Sequence, residues 1–509
     1  MSMNKLIEHF STCTCRGRLG KLFKTEKNYY FLDMGTGKVA VIDEYMHRIL
    51  EVILLAEDLE AALEELSDDK KYDEAAEKVF EAIEKEHILS ARELETLTGD
   101  AVMYLEQTLK DSLQNITLEV TERCNLRCKY CIYNESHCEY RSFGKEDMTW
   151  DIAKAAIDYL KEHSKDTEKP YIGFYGGEPL LNYSLIEKSV EYANSLFNNT
   201  ITFSLTTNAT IITDEIADFL AENDFSPIIS LDGPEILHDA NRVFIDGKGS
   251  FKATMKGVDK LVKAYSKKGD TSKIGFNIVV SGPDFDKEYD MIQEFFESNE
   301  RIPSNVWIMT SFVDKGPKDT EYILPHSPED LAYMANAFEP NYDWERKKRQ
   351  EKTNHKLFVD GTIDKGMLAI HKRLLLDEPC KDYGMNGCCV PGQRRIYVTV
   401  DGKCLLCEKV GNIPDIGNVN TGLDIDKIRK IYVEDFVNEA INYCKNCWAV
   451  NLCSLCYVNC YDENGTHFNY RHESCQAERK YIEENLIRYH TILEDDPESL
   501  MHYNEIEFE

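Results

Sequence analysis

The sequence predicts an α/β protein built on a parallel sheet, with a smaller unit before it and a cysteine-rich unit after it. Three observations point there. Between residues 116 and 312, six apolar, β-branched or aromatic runs of strand length alternate with helical patterns. Upstream, Asn28–Met34 and Lys38–Ile42 flank Gly35-Thr36-Gly37, a hairpin signal, and amphipathic helical segments follow. Downstream, residues 376–480 hold eleven of the seventeen cysteines.

Residues 1–90 are expected to form the first unit. After the hairpin, Asp43 stands at an N-cap position, with Met46, Ile49, Leu50, Ile53 and Leu54 at helical spacing behind it. Asp58–Leu66 and Tyr72–Glu86 follow, the latter with Ala75, Ala76, Val79, Phe80 and Ile83 on one face. A hairpin with three helices is a winged-helix pattern, but the segment is acidic and lacks a basic recognition helix, which argues against DNA. Residues 91–115 read as a linker helix. The strands of residues 116–320 are Ile116–Val120, Tyr171–Tyr175, Ile201–Thr206, Pro227–Leu231, Lys273–Val280 and Asn305–Ser311. Helical patterns such as Trp150–Lys161 and Ser250–Lys267 lie between them. Six βα repeats imply a sheet covered by helices, with chemistry at the carboxyl ends of the strands. Residues 321–375 read as a charged helical connector, and residues 481–509 as a solvated acidic tail.

At 509 residues the chain exceeds one ordinary core. Its 59 basic and 91 acidic residues leave −32, which argues against nucleic acid and anionic membrane surfaces and would suit a basic peptide partner. The apolar stretch Ile49–Ala56 contains Glu51 and falls far short of the ~20 residues of a membrane span. The start has no signal-peptide core. Seventeen cysteines in such a chain point to metal or redox chemistry in a reducing compartment, hence the cytoplasm.

Cys124, Cys128 and Cys131 follow the first strand as C-x3-C-x2-C: three thiolates with no fourth. A [4Fe–4S] cluster normally takes four cysteines, so three imply an iron with an open position; a zinc motif is the alternative. Spacing and setting resemble the radical S-adenosylmethionine (SAM) superfamily. The resemblance implies a partial (β/α)6 barrel and SAM bound at the open iron and cleaved to a 5′-deoxyadenosyl radical. In that family the position of Tyr130 meets the adenine. Gly176-Gly177-Glu178, after the second strand, resembles the element that holds the methionyl amino group of SAM. Paired glycines let backbone approach a ligand closely. Thr207 and Asn208 end the third strand, and Ser230 and Asp232 the fourth, a polar ring suited to a ribose and an amino-acid moiety. These are ordinary turn residues too. Arg242 could pair with the SAM carboxylate as a fork donor, or make a surface salt bridge.

Cys389-x12-Gly402-x4-Cys407 and Cys444-x2-Cys447-x5-Cys453 resemble the SPASM extension of radical SAM enzymes, which binds two auxiliary [4Fe–4S] clusters, making three in all. The resemblance assigns Cys444, Cys447, Cys453 and Cys475 to auxiliary cluster II. Cluster I would take Cys389, Cys407 and Cys456 or Cys460, with Cys380 as fourth ligand and Cys388 as its competitor. Zinc knuckles are the alternative for Cys444-x2-Cys447 and Cys453-x2-Cys456. Glu408 is a candidate general base, since related sulfatase-maturing enzymes carry a carboxylate beside this cysteine; a solvent-facing Glu is the plainer reading. Cys13, Cys15, Cys138 and Cys404 have no assigned partner.

The N-terminal unit resembles the leader-recognition element of ribosomal peptide pathways, where a leader adds a strand to the wing. The domain order resembles sactipeptide- and ranthipeptide-type thioether-forming maturases. It implies a cysteine-rich precursor peptide as substrate, crosslinked from cysteine sulfur to Cα. It also implies an external electron donor such as flavodoxin or ferredoxin. The rivals are β- or γ-carbon thioethers, carbon–carbon crosslinks, formylglycine-type maturation, and a non-catalytic zinc-containing peptide-binding scaffold.

Overall fold

The computed structural model describes residues 2–506 except 14, 134–141, 282–284, 314–365, 386 and 459. The N-terminal unit has three antiparallel strands, β1 (Gly20–Lys24), β2 (Tyr29–Asp33) and β3 (Val39–Ile42), in the order β1-β2-β3. The expected hairpin is therefore β2–β3. Strand β1 and the helix Ser2–Phe10 lay outside the sequence reading, the helix packing through Met3, Leu6 and Phe10. The helices Glu44–Leu55, Leu59–Leu66 and Lys70–Glu86 follow, each capped by an aspartate: Asp43, Asp58 and Asp69 accept from backbone N–H groups of their first turns. Because Asp33 N–H donates to Lys38 O at 2.9 Å, the ladder alternation turns the backbone of Val39 and Val41 toward the outer edge of β3. Val41 is 63% exposed.

The expected linker helix holds a short strand, β4 (Leu97–Thr98), and the helices Asp100–Met103 and Leu105–Asp111. Six parallel strands then follow in sequential order: β5 (Asn115–Thr121), β6 (Tyr171–Gly176), β7 (Thr202–Thr207), β8 (Phe225–Ser230), β9 (Gly275–Val280) and β10 (Trp307–Phe312). All six lie within two residues of their expected ends; β5 to β9 bury most of their apolar residues under the helices Trp150–His163, Tyr183–Leu196, Asp214–Glu222, Phe251–Lys268 and Phe285–Ser298, while the edge strand β10 leaves Trp307 and Met309 exposed. A register shift between Glu119 and Thr121 bulges the end of β5 just ahead of the cysteine loop.

The C-terminal unit continues the same sheet. Its strand β12 (Ile396–Val398) pairs parallel with β5, then antiparallel with β13 (Lys403–Leu405), which passes the sheet to β14 (Gly417–Asn418) and β15 (Gly422–Leu423). The preceding β11 (Tyr383–Gly384) pairs with β4. Of the connector, residues 321–365 lie outside the described residues, and residues 366–371 are helical.

Residues 481–509 are not a solvated tail as far as they are described. Helix His472–Asp495 buries Ile482, Leu486 and Tyr489, and Leu500 and Tyr503 beyond it are buried too. Acidity misled here because one carboxylate is consumed locally: Glu494 accepts from Tyr30 Oη, Asn28 Nδ2 and Thr25 Oγ1 at 2.7–2.8 Å, seating the helix against the β1–β2 turn. Among the described residues no helix is long and apolar enough to cross a membrane.

Candidate active site

Cys124, Cys128 and Cys131 lie on the loop that leaves the carboxyl end of β5, half-buried, within electrostatic reach of one another. Leu126 N–H points at Cys124 Sγ at 3.4 Å. Burial pushes the Cys124 thiol up to about 12 and the Cys131 thiol to about 11. Thiolates here need a cation to offset that desolvation, which iron supplies on binding. Among the described residues no three Cys, His, Asp or Glu side chains converge on a single-ion site; a four-iron cluster is larger than one ion and holds its thiolates correspondingly apart.

The glycine element stands directly against this loop. Gly177 N–H donates to Thr121 O at 2.9 Å and Glu178 N–H to Arg123 O at 2.8 Å. Gly176 has φ +141°, and a Cβ there would meet Thr121 O at 2.2 Å; a Cβ on Gly177 would meet Arg123 O at 2.3 Å. The glycines thus permit β6 to grip the entry to the cysteine loop. Glu178 turns inward, fully buried, accepting from Asn208 N–H and Thr207 Oγ1 at 2.8 Å and from Leu180 N–H at 3.2 Å. Burial outweighs these donors and raises its carboxyl to about 7.

The polar strand ends form a knitted network. Asn208 Nδ2 donates to Asn125 Oδ1 at 2.9 Å, and Asn125 Nδ2 to Thr210 Oγ1 at 2.8 Å. Asn125, between two of the cysteines, escaped sequence reasoning because an Asn in a loop carries no signal of its own. Tyr130 Oη donates to Asp232. Asp232 receives a bidentate fork from Arg242, both contacts at 2.9 Å, with both residues buried. The fork offered in sequence to the SAM carboxylate is thus engaged by Asp232, and the Arg242 charge lies beside Cys128. Ser230 is half-buried at the end of β8. A cavity of about 510 Å³ opens from Gly177 and Tyr133, past Glu119, to Thr399 and Lys403 around the β12–β13 hairpin.

In the C-terminal unit, Cys444, Cys447, Cys453 and Cys475 line one cavity of about 70 Å³, together with Cys388 and Arg471. The group assigned to auxiliary cluster II is therefore brought together. Cys388 lies near Cys389, Cys456 and Cys460, Cys460 near Cys456, and Cys407 near Cys456. Cys460 is fully buried and its thiol donates to Tyr457 O at 3.1 Å. Cys380 is placed elsewhere: its thiol donates to Asp382 O at 2.6 Å, and it lines a separate cavity with Asp33 and Gly35. Its competitor Cys388 takes its place among the others. Two buried polar groups stand by these sulfurs without hydrogen-bond partners, Tyr457 Oη near Cys388 and Arg471 Nε in the cavity. Such orphans suit an anionic cluster. Glu408 is half-buried and ion-paired with Arg395. Burial pushes its carboxyl up, but the Arg395 charge and hydrogen bond carry it below the usual range, which makes it a poor proton acceptor. Cys138 lies outside the described residues.

The radical SAM superfamily model matches residues 118–297. The uncharacterised protein MJ0907 of Methanocaldococcus jannaschii is 31% identical over 322 residues, covering 63% of this chain and 92% of that one. The chain belongs to the radical SAM superfamily. Its members use SAM and a [4Fe–4S] cluster, and the loop Cys124–Cys131 is where this radical SAM protein would hold both. The cysteine-type anaerobic sulfatase-maturating enzyme of Clostridium novyi is 26% identical over 404 residues, covering 74% of this chain and 96% of that one. Native anSMEcpe with bound AdoMet has the same fold, with TM-score 0.52 at 21% identity over 75% of this chain and 100% of that one.

Proposed function

We propose that this radical SAM enzyme is a peptide maturase that joins cysteine sulfur to the Cα of another residue in a ribosomally made, cysteine-rich peptide. The observation that carries the reading is the cavity between the Gly177–Tyr133 mouth and the β12–β13 hairpin, whose lining of Glu119, Glu122, Glu146 and Asp401 beside the glycine element suits a basic or polar peptide segment. When bound, SAM and its cluster supply a 5′-deoxyadenosyl radical that abstracts hydrogen. The chain's own residues do the rest. Cys124, Cys128 and Cys131 would hold the cluster, Gly176 and Gly177 set β6 against the entry to their loop, and Asp232 orients Tyr130 and Arg242. The edge of β3, with Val39 and Val41 turned outward, suits a leader peptide added as a fourth strand. Auxiliary clusters at the two C-terminal cysteine groups would bring the total to three. They would accept the electron released on sulfur–carbon bond formation, while an external donor of flavodoxin or ferredoxin type in the cytoplasm would supply the electron that SAM cleavage consumes.

The sulfatase-maturating relative supports a second reading, oxidation of a cysteine to formylglycine. Anaerobic incubation with SAM, a reductant and a cysteine-rich precursor peptide, followed by tandem mass spectrometry, separates the two. Loss of two hydrogens per bridge with sulfur retained supports the thioether; loss of sulfur with a new aldehyde supports formylglycine. The Cys124→Ala/Cys128→Ala/Cys131→Ala variant should form no deoxyadenosine. Zinc in place of iron and sulfide in anaerobically purified protein would sink both readings.

A further inference from the structure

Arg471 immediately precedes helix His472–Asp495 and is 5% exposed. Its guanidinium carbon lies 4.8 Å from the Phe468 ring centroid and 6.0 Å from that of Phe436, so two aromatic rings help hold it in place. The side chain lines the cavity of Cys444, Cys447, Cys453 and Cys475, and Cys388 of the other cysteine group reaches the same cavity. Nε makes no hydrogen bond. A buried charge without an anion beside it is strongly unfavourable. In a chain of net charge −32 a carboxylate would be easy to supply, yet the groups whose charge acts on this cation are the sulfurs of Cys460, Cys475, Cys453 and Cys388, while Glu478, which lines the same cavity, accepts from Ser454 N–H. Arg479 lines the same cavity, and its closest sulfur contacts are on the other side of it: Nη1 lies 4.0 Å from Cys447 Sγ, and its charge acts on Cys475 of the same group.

We propose that Arg471 is a shared electrostatic element of the two auxiliary cysteine groups, a fixed positive charge that makes both auxiliary clusters easier to reduce. One-electron reduction adds a negative charge to a cluster, and a desolvated cation nearby stabilises the reduced form more than the oxidised one. Arg471 is thus a positioning residue for the electron acceptor. The inference rests on the cluster reading above.

The test is EPR-monitored redox titration of the full chain, anaerobically reconstituted, in the Cys124→Ala/Cys128→Ala/Cys131→Ala background so that only auxiliary clusters report. Arg471→Gln should disfavour reduction of both clusters at least tenfold, which is 59 mV for one electron. Arg471→Lys, which keeps the charge, should stay within threefold of the parent, and Arg479→Gln should shift one cluster alone. Unchanged potentials in Arg471→Gln, or equal shifts in Gln and Lys, would overturn the proposal. If Arg471→Gln fails to load, iron and sulfide content decides: loading retained by Lys supports a charge requirement, and loss in both variants refutes it. Zinc in the parent protein would instead mean that the cluster reading itself had failed.

Discussion

The backbone N–H of Glu178 donates to the carbonyl oxygen of Arg123 at 2.8 Å, which ties the glycine element of β6 to the residue just before Cys124. The loop that carries the cysteines is therefore aligned by the neighbouring strand. The side chain of the same Glu178 reaches on to Thr207 and Asn208 at the end of β7. One residue thus couples three consecutive strand ends.

Gly177→Ala should displace the loop, since its Cβ would fall 2.3 Å from Arg123 O and backbone cannot rotate away as a side chain can. A misplacement near 1 Å costs on the order of 10²-fold in rate. Deoxyadenosine formation, with iron content per chain as control, measures it. A variant with parental rate would show that the contact is dispensable.

Asp232→Asn should destabilise the fold by roughly 3–5 kcal/mol, because it leaves the buried Arg242 without its counter-charge. Urea denaturation followed by fluorescence reads the loss. The double variant Asp232→Leu/Arg242→Leu should be less destabilised than the single one.

Glu178 introduces a pH dependence whose sign follows from burial. Its folded-state carboxyl is raised to about 7 against an ordinary 4.5, so above the ordinary value the native state binds more protons than the unfolded one. Stability then falls as pH rises through that window and levels off above 7. Between pH 6 and pH 8 the loss should be about 1 kcal/mol. Urea midpoints at the two pH values should show it, and Glu178→Gln should remove it.

Val41→Pro should weaken leader binding while leaving SAM cleavage intact. Proline removes an outward N–H at the β3 edge, where an added strand would pair. Fluorescence anisotropy with a labelled leader peptide reads affinity, and a loss of about 1 kcal/mol, or roughly fivefold, is expected from one hydrogen bond. Unaltered affinity would place the leader elsewhere.

The six parallel strands were legible in sequence because each is a short β-branched or aromatic run bounded by helical periodicity, even β10, whose Trp307 and Met309 stay exposed at the sheet edge. The cysteine loop and the glycine element were legible because their chemistry demands particular residue types at short spacing. Partnerships were not legible. Arg242 pairs with Asp232 rather than standing free, and Glu408 pairs with Arg395, because ion pairs between distant segments leave no local pattern. The sequence favoured Cys380 over Cys388 as the fourth ligand, and spacing alone gave no reason against it. Only the turn that buries the Cys380 thiol against Asp382 O and the N-terminal unit separates them.

By itself the sequence carried the superfamily resemblance, the six parallel strands and the three-cysteine spacing of the candidate site, since motifs and periodicity are local. Tertiary structure alone decided that residues 481–506 are anchored through Ile482, Leu486, Tyr489, Leu500 and Tyr503, that the C-terminal unit extends the parallel sheet through β12, and that Arg471 lies among the C-terminal cysteines. The physical reason is that burial and charge pairing are set by which segments meet, a property no single stretch of chain carries.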